Sequence, residues 1–312
     1  MMTMPTPSAK NAIDAGTDTA HAWDAAAEAW DRHAPMLNMW LRAATDRMLD
    51  AAGVVPGAQV LDVAAGAGDQ TLDIARRVGA SGRVLATDIS PAILALARAK
   101  LQAAGFGAVQ TCVADAQALQ PAVQAAIQTA MQTETKAHGA GFDAVVCRLG
   151  LMFCTAPQRA LAGAWQALRP GGRFAALVFS EPQANPCITT LMSTARRHAG
   201  LSPASPFDPG TLLSLGRPGL LQQLLTDAGF EQIQTVAVAA PMWLPSVQHY
   251  TQFVQTAGLP IRAILQGLPP AAQAAAWRDI EEQLACFNSG DAWVGANELL
   301  LCSAARPVRD ER

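Results

Sequence analysis

Charged side chains are scarce in this sequence. Lys, Arg, Asp and Glu make up 15% of the 312 residues, and the net charge is -3. Lys and Arg are scattered, without a dense basic stretch. Because nucleic-acid binding needs a concentrated positive surface, the composition disfavours a nucleic-acid partner.

Paired cysteines and long apolar runs are missing as well. None of the six cysteines forms a C-x-x-C pair, and several lie inside apolar runs, which favours reduced, buried thiols and excludes a zinc site. No run approaches the roughly 18 apolar residues of a membrane helix, and the first 20 residues lack the apolar core of a signal peptide. We therefore expect a cytoplasmic protein without a metal site or a membrane-inserted segment. The sequence leaves monomer and homodimer open.

Short apolar runs alternate with helical patterns through the middle of the chain. Continuous apolar runs separated by amphipathic helices are typical of a parallel sheet that is covered on both faces. Two more runs follow, the last at 296–305, which brings the count to seven strands. The pattern predicts an α/β fold with a doubly wound, mostly parallel, seven-stranded sheet. The first five predicted strands are 59–65, 83–89, 109–115, 142–149 and 173–180.

Five segments follow from this pattern. A small, polar stretch begins the chain, and helical patterns both precede the sheet and interrupt it before the last strand. Such helices would lie as a lid over the carboxyl ends of the strands, where ligands of doubly wound sheets bind. We predict a disordered N-terminus at 1–20, N-terminal lid helices at 21–53, an α/β core at 54–240, a helical insert over the active site at 241–290, and a last strand and tail at 291–312.

One connection, at 117–141, is longer than is usual between a strand and the next element. Its first part is rich in Ala and Gln, which predicts an extra exposed helix. The role of this segment is not visible in the sequence.

The stretch VLDVAAGAGDQT, at 60–71, ends the first predicted strand in a glycine loop. Gly66 and Gly68 allow a tight turn and a close approach of a ligand to the backbone. A dinucleotide fingerprint requires a third glycine where this chain has Thr71, and a phosphate-binding P-loop requires a lysine that this loop lacks. The loop therefore argues against a pyrophosphate ligand.

Acidic residues in or at the end of three strands indicate which ligand this edge of the sheet could bind. Asp88 ends the second strand, 20 residues after Gly68, where a carboxylate accepts hydrogen bonds from a ribose diol. Asp115 ends the third strand, where it can accept from an adenine amine while the N–H of Ala116 donates to a ring nitrogen. Asp62, inside the first strand, could orient the loop or receive an ammonium group. This set of acceptors fits an adenosyl amino acid better than a dinucleotide.

Five motifs occur in order: VLDVAAGAGDQT, ATDISPAILALARAK, VADAQAL, FDAVVCRLGLMF and LRPGGRFAALVFS. Together they resemble the motifs of class I S-adenosylmethionine-dependent methyltransferases, and most of all the type similar to ubiquinone/menaquinone-biosynthesis methyltransferases. The similarity covers about residues 23–180 well and the remainder loosely. It implies a Rossmann-like methyltransferase fold with an antiparallel last strand, and S-adenosylmethionine as cofactor.

The resemblance also implies roles for individual residues. Three residues would surround the methionine part of the cofactor: Asp62, Gly66 and Gly68. Asp88, with Ile89 beside it, would hold the ribose, and Asp115 with Ala116 the adenine. Arg148, an isolated cation in an apolar run, would flank the cofactor.

The acceptor side is less defined. Trp30 and Trp40 on the lid helices, and Asn185 after the fifth strand, are candidates for substrate contact, although Trp at helical spacing is more often part of a core. His33 and His249 are weak candidates for a general base, because surface or packing roles suit them at least as well. The expected partner is a small, partly apolar molecule, quinone-like or a secondary metabolite. Two alternatives stay open: an NAD(P)-dependent oxidoreductase and a non-catalytic S-adenosylmethionine-binding protein.

Overall fold

A computed structural model describes residues 9–121, 123–125 and 141–308, with side chains described from residue 19 onward. Two helices, α1 (Ala9–Arg32) and α2 (Ala34–Ala51), precede the sheet. The chain turns at His33, and Pro35 occupies the first turn of α2, where its missing N–H costs no helical hydrogen bond. The sequence predicts disorder over 1–20, but the structure differs: α1 begins at Ala9, and only residues 1–8 of that segment lie outside the described residues.

The alternation of strands and helices then builds the sheet. Its first part comprises β1 (Gln59–Val63), α3 (Asp69–Val78), β2 (Arg83–Asp88), α4 (Pro91–Ala103), β3 (Gln110–Val113), β4 (Phe142–Arg148), α5 (Pro157–Ala167) and β5 (Leu168–Phe179). Its second part comprises α6 (Pro186–His198), α7 (Leu220–Asp227), β6 (Glu231–Ala239) and, after an insert, β10 (Glu298–Ala305). Ser90 is the N-cap of α4, since its side chain accepts a hydrogen bond from the N–H of Ile93.

The seven strands lie in the order β3-β2-β1-β4-β5-β10-β6. β1 pairs in parallel with β2 and β4, and β10 runs antiparallel between β5 and β6. The predicted doubly wound, mostly parallel sheet with an antiparallel last strand is therefore confirmed. The strand order reverses between β1 and β4, so a crevice opens there beyond their carboxyl ends.

The insert between β6 and β10 is more than a run of helices. It contains α8 (Val247–Ala257), α9 (Leu259–Leu265) and α10 (Pro270–Leu284), together with a small sheet of three short strands. These strands are β7 (Met242–Leu244), β8 (Asn288–Ser289) and β9 (Ala292–Gly295). The insert and α6 share a second hydrophobic core around the fully buried Trp293, separate from the main core of the large sheet.

The connection after β3 is described only in part. A 3₁₀ turn spans Ala116–Ala118, and residues 120–121 and 123–125 are helical. The remainder of the predicted exposed helix, at 126–140, lies outside the described residues.

Candidate active site

A cavity of about 810 Å³ lies beyond the carboxyl ends of β1, β2, β3 and β4. One wall, which we call the strand edge, consists of residues at the ends of these strands: Gly66, Asp88, Ile89, Asp115, Ala116 and Arg148. A second wall, which we call the apolar chamber, comes from helices, from the end of β5, from the insert and from the residue before β10: Trp30, Trp40, Phe179, Met192, Tyr250, Phe253, Ile261 and Asn297. The two walls therefore enclose one continuous space.

The glycine loop follows β1 and places its two glycines differently. Gly66 (φ +56°) lines the cavity, and its N–H donates to Oδ2 of Asp88 over 2.9 Å. Gly68 (φ +84°) does not line the cavity but packs against α4, since a Cβ there would lie 2.8 Å from the Cβ of Ala97. The first glycine thus lines the cavity beside Trp30, whose Nε1 would lie 3.5 Å from a Cβ there, and the second permits the close approach of loop and helix.

Asp62 is sealed beneath the loop rather than facing the cavity. Its side chain is 0% exposed; Oδ2 accepts a hydrogen bond from Oγ1 of Thr71 over 2.6 Å, and Oδ1 accepts one from Nε2 of Gln70. Burial raises its pKa to about 6, although these hydrogen bonds and the charge of Arg148 act in the opposite direction. The predicted direct contact between Asp62 and a ligand is therefore corrected: the carboxylate orients the first turn of α3, the alternative role that the sequence left open.

Asp88 lies at the end of β2 and faces the cavity together with Ile89. Its carboxylate accepts from the N–H of Gly66 over 2.9 Å and from the N–H of Ser90 over 3.0 Å. Burial raises its pKa, while these backbone hydrogen bonds and that of Ile89 lower it. The carboxylate is thereby held in one orientation, with remaining acceptor capacity for a ligand hydroxyl.

Asp115 and Ala116 line the cavity next to the end of β3. Oδ1 of Asp115 accepts from the N–H of Gln117 over 2.8 Å and so begins the 3₁₀ turn. Gln117 also lines the cavity, and its Oε1 accepts from the N–H of Ala156 over 2.8 Å, which ties the turn to the start of α5. Sequence reasoning missed Gln117, because nothing in its spacing distinguishes it from a solvated loop residue.

Arg148, at the end of β4, lines the cavity as predicted. Nη1 donates to Oγ1 of Thr45 on α2 over 3.0 Å, and within the described part of the chain no carboxylate lies within ion-pair distance of the guanidinium. Burial lowers its pKa, although the acids Asp62 and Asp69 partly oppose this. Because an arginine stays protonated in proteins, the site contains a cation with unused donors.

The helix α1 is fastened across the strand edge by polar contacts. Oδ1 of Asp24 accepts from the N–H of Ala92 over 3.0 Å and from Oγ of Ser90, so it caps the start of α4. Nζ of Lys100 lies 2.8 Å from carboxylate oxygens of both Asp31 on α1 and Asp69 on α3. These contacts hold the predicted N-terminal lid next to Asp88.

The two predicted tryptophans both line the apolar chamber. Trp40 stacks on Phe179, with ring centroids 6.2 Å apart, and its Nε1 donates to the carbonyl of Ala240 over 2.7 Å. Trp30 packs against Phe253 on α8 at 5.9 Å. Phe179 and Phe253 were missed in the sequence, because each is an ordinary apolar residue within a strand or a helix.

Three other predicted residues do not line the cavity, and their predictions are corrected. Asn185 is fully buried: its Nδ2 donates to Oγ of Ser180 and to the carbonyls of Glu181 and Glu298, and its Oδ1 accepts from the N–H of Glu298. His33 is bound to Oγ1 of Thr256 over 2.8 Å and packs on Phe253, where it links α1 to α8. His249 is exposed and bonded to Ser246, because it occupies the outer face of α8.

In the described part of the chain, no three His, Cys, Asp or Glu side chains come together in a way that could hold a metal ion. None of the helices described there has the length and apolarity needed to cross a membrane.

A family model for the ubiE/COQ5 methyltransferase family matches residues 26–193, which is more than half of the chain. The chain belongs to this family. The matched residues include the whole strand edge and end in α6, before the insert begins. The cofactor-binding motifs named from the sequence therefore lie inside the shared part, and most of the insert-derived wall of the chamber lies outside it.

Curated relatives in the family carry the name ubiquinone/menaquinone biosynthesis C-methyltransferase UbiE. The protein of Teredinibacter turnerae is 39% identical over 43% of this chain and 48% of its own length. That of Klebsiella pneumoniae is 32% identical over 54% of this chain and 61% of its own length, and that of Pasteurella multocida is 30% identical over 62% and 69%. The chain thus spans about half to two thirds of the length of these relatives.

Solved structures agree on the fold. The YcgJ protein of Bacillus subtilis superposes with a TM-score of 0.53 at 14% identity, over 85% of this chain and 99% of that protein. The [4+2]-cyclase SpnF superposes with a TM-score of 0.53 at 18% identity, over 99% of this chain and 100% of that protein. At these identities the likeness establishes the architecture alone.

Proposed function

We propose that this protein transfers the methyl group of S-adenosylmethionine to a small, partly apolar, quinone-like acceptor. The observation that carries this proposal is a cavity of about 810 Å³ that both the strand edge and the apolar chamber line. Methyl transfer requires two molecules to meet in one aligned, water-poor space. A cavity with one polar wall and one apolar wall suits a polar methyl donor and an apolar acceptor.

The residues of the strand edge fit S-adenosylmethionine. The carboxylate of Asp88 suits the ribose diol, and Asp115 with the N–H of Ala116 suits the adenine. Gly66 lines the cavity with its backbone, and Arg148 has unused donors for the carboxylate of the amino-acid part. The loop lacks the lysine that a phosphate group would favour.

The acceptor class rests on the relatives and on the chamber together. The curated relatives are named for C-methylation in ubiquinone and menaquinone biosynthesis, but the chain spans only 48% and 61% of the first two. The chamber is walled by aromatic and aliphatic side chains, among them Trp40, Phe179 and Phe253. A flat, largely apolar ring is the kind of molecule that such walls bind.

The mechanism follows from the separate roles of the strand edge, which would bind the methyl donor, and the apolar chamber, which would bind the acceptor. When bound, S-adenosylmethionine would supply a methyl group on a sulfonium to a nucleophilic carbon or oxygen of the reduced, quinol-like acceptor, so the protein needs no nucleophile of its own. S-adenosylhomocysteine would leave, and the proton lost by the acceptor would pass to water. Asp88 and Asp115 would fix the donor, while Trp30 and Trp40 would exclude water and press the acceptor toward it. Asp24 and Lys100 would keep α1 closed over the strand edge during transfer.

An NAD(P)-dependent oxidoreductase is the rival enzymatic function. Thr71 occupies the position of the third glycine of a dinucleotide fingerprint, and its side chain is buried and bonded to Asp62. No observation on the site favours this rival.

The test is methyl transfer from radiolabelled S-adenosylmethionine to a panel of quinols, phenols and naphthols. We expect labelled product with at least one quinol-like acceptor. The variant Asp88→Asn should bind S-adenosylhomocysteine about 10- to 100-fold more weakly, because it loses charge-assisted hydrogen bonds worth roughly 1.5–3 kcal/mol. Asp227→Asn, on the exposed side of α7, should bind it as the wild type does. Binding of S-adenosylhomocysteine without turnover of any acceptor would instead favour a non-catalytic binding protein.

A further inference from the structure

The apolar chamber contains two polar side chains that come from the insert and the residues after it. They are Tyr250 on α8, the single tyrosine of the chain, and Asn297, between β9 and β10. Neither lies within the residues matched by the family model, which end at 193. These two groups are therefore features of the chamber and not of the shared strand edge.

The ring of Tyr250 is held firmly in place. It stacks on Trp293 with centroids 4.7 Å apart and planes inclined by 24°. Trp293 is itself fully buried, and its Nε1 donates to the carbonyl of Leu284 over 2.8 Å. The orientation of the phenol is thus fixed by the second hydrophobic core rather than by a ligand.

The hydroxyl of Tyr250 has no hydrogen-bond partner among the described residues. It is not one of the buried polar atoms that are both unpaired and sealed from solvent, such as Oδ1 of Asn38 and Oε1 of Gln70. Tyr250 is only 5% exposed and is one of the residues that line the cavity, and its unpaired hydroxyl is not fully sealed. Because burial raises the pKa of Tyr250, the group is a neutral donor rather than a base.

Asn297 complements this donor. Its Nδ2 donates to the carbonyl of Gly295 over 3.2 Å, which orients the amide. Its Oδ1 has no partner in the described part of the chain and is not sealed either. The chamber thus presents one free hydroxyl donor and one free amide acceptor between apolar walls.

We propose that Tyr250 and Asn297 select the acceptor by binding a hydroxyl group on an otherwise apolar aromatic ring. A hydroxyl oxygen can accept from Tyr250 and a hydroxyl hydrogen can be donated to Oδ1 of Asn297, so a phenol or hydroquinone can pair with either group and an unsubstituted ring with neither. An apolar ring without a hydroxyl would leave both groups unpaired, which costs affinity. This inference rests on the proposed function and assigns the binding of the acceptor's hydroxyl to these two residues.

The experiment measures binding of 1-naphthol and, separately, of naphthalene to the full chain by calorimetric titration. Each titration is done with and without saturating S-adenosylhomocysteine. The wild type should prefer 1-naphthol by about tenfold, as one or two neutral hydrogen bonds would give. Tyr250→Phe keeps the stacked ring and should reduce the preference to about twofold, mainly through weaker 1-naphthol binding. His249→Gln, on the outer face of the same helix, is the control and should keep the full preference.

The ratio of the two affinities separates selection from structure, because a merely structural role for Tyr250 would weaken both probes equally. Equal affinities in the wild type, failure of both probes to bind, or a preference that survives Tyr250→Phe would each overturn the proposal. Loss of S-adenosylhomocysteine binding with an intact 1-naphthol preference would contradict the proposed function instead. The two failures are thus distinguishable in one set of titrations.

Discussion

The strand edge and the apolar chamber form the two walls of one cavity but differ in how the chain builds them. The strand edge comes from consecutive strand ends between Gly66 and Arg148, within the residues that match the family model. The chamber gathers side chains from α1, α2, β5 and α6, and from an insert about 200 residues away from the first helices. The strand edge thus lies wholly in the shared part, whereas the residues named for the chamber are divided between the shared part and the later part of the chain.

This difference teaches where specificity resides in such a fold. A cofactor of constant shape can be held by a constant edge, whereas lids and inserts can vary without disturbing the sheet. Substitutions at Gly68, Asp62 and Asp24 test how far the two walls are independent, and we expect the effect on stability to fall in that order.

The largest effect should come from closing the gap between the glycine loop and α4. Gly68→Ala would put a Cβ 2.8 Å from the Cβ of Ala97 and 2.9 Å from its Cα, at a φ of +84°. Overpacking of about 1–3 kcal/mol would add to a backbone cost of about 1–2 kcal/mol. Gly105→Ala is a matched control, because Gly105 has the same φ of +84° but nothing within 4 Å.

Urea unfolding measures both variants. We expect Gly68→Ala to lose about 1–3 kcal/mol more than Gly105→Ala, and to bind S-adenosylhomocysteine more weakly as well. Equal losses would mean that the loop can move away from α4 without harm, and the strand edge would then be less rigid than the contacts indicate.

The second effect concerns Asp62 and depends on pH. Burial raises its pKa from 3.8 to about 6 in the folded protein. A raised pKa means that the folded state binds the proton more tightly, so the stabilisation is complete below about pH 4 and is lost as the pH rises to about 6. The free energy of unfolding of the wild type, minus that of Asp62→Asn, should therefore fall by about 3 kcal/mol across this window.

Unfolding in urea at several pH values between about 4 and 7 gives this difference curve. Asp227→Asn, at an exposed position, is the comparison variant. The opposite result is a difference in the free energy of unfolding, wild type minus Asp62→Asn, that rises with pH. It would show that the hydrogen bonds from Thr71 and Gln70 outweigh the cost of burying the charge.

The smallest effect should come from loosening the lid. Asp24→Ala removes the carboxylate that caps α4, which should cost about 1 kcal/mol of stability. Because α1 spans both walls, we expect faster hydrogen exchange in α1 and faster dissociation of S-adenosylhomocysteine. Glu28→Gln, at an exposed position of the same helix, should change neither. If S-adenosylhomocysteine dissociates from Asp24→Ala as slowly as from the wild type, α1 does not close the strand edge.

The strand edge could be predicted from the sequence because local patterns determine it. Turn glycines and the acids at strand ends follow apolar runs at fixed offsets. The sequence therefore predicts Gly66, Asp88, Asp115 and Arg148 as residues of the cofactor site. Asp62 was not resolved in the same way, since its partners Gln70 and Thr71 become visible only when α3 is folded against β1.

The chamber could be predicted only in outline. Trp30 and Trp40 stand out as large aromatic residues on lid helices. Asn185 is predicted at the cavity from its place after the fifth strand, and the two histidines from their places on the lid and inserted helices, but none of the three lines it. The contacts that decide these cases join distant parts of the chain, such as Asn185 with Glu298 and His33 with Thr256. Helical periodicity shows that α8 has an inner face, but not whether His249 or Tyr250 occupies it.

The most direct test of the account is a calorimetric titration of the full chain with S-adenosylhomocysteine and, separately, with NADH. The account predicts saturable binding of one S-adenosylhomocysteine per chain, weakened by Asp88→Asn, and no binding of NADH. Tight binding of NADH with no response to S-adenosylhomocysteine would contradict it.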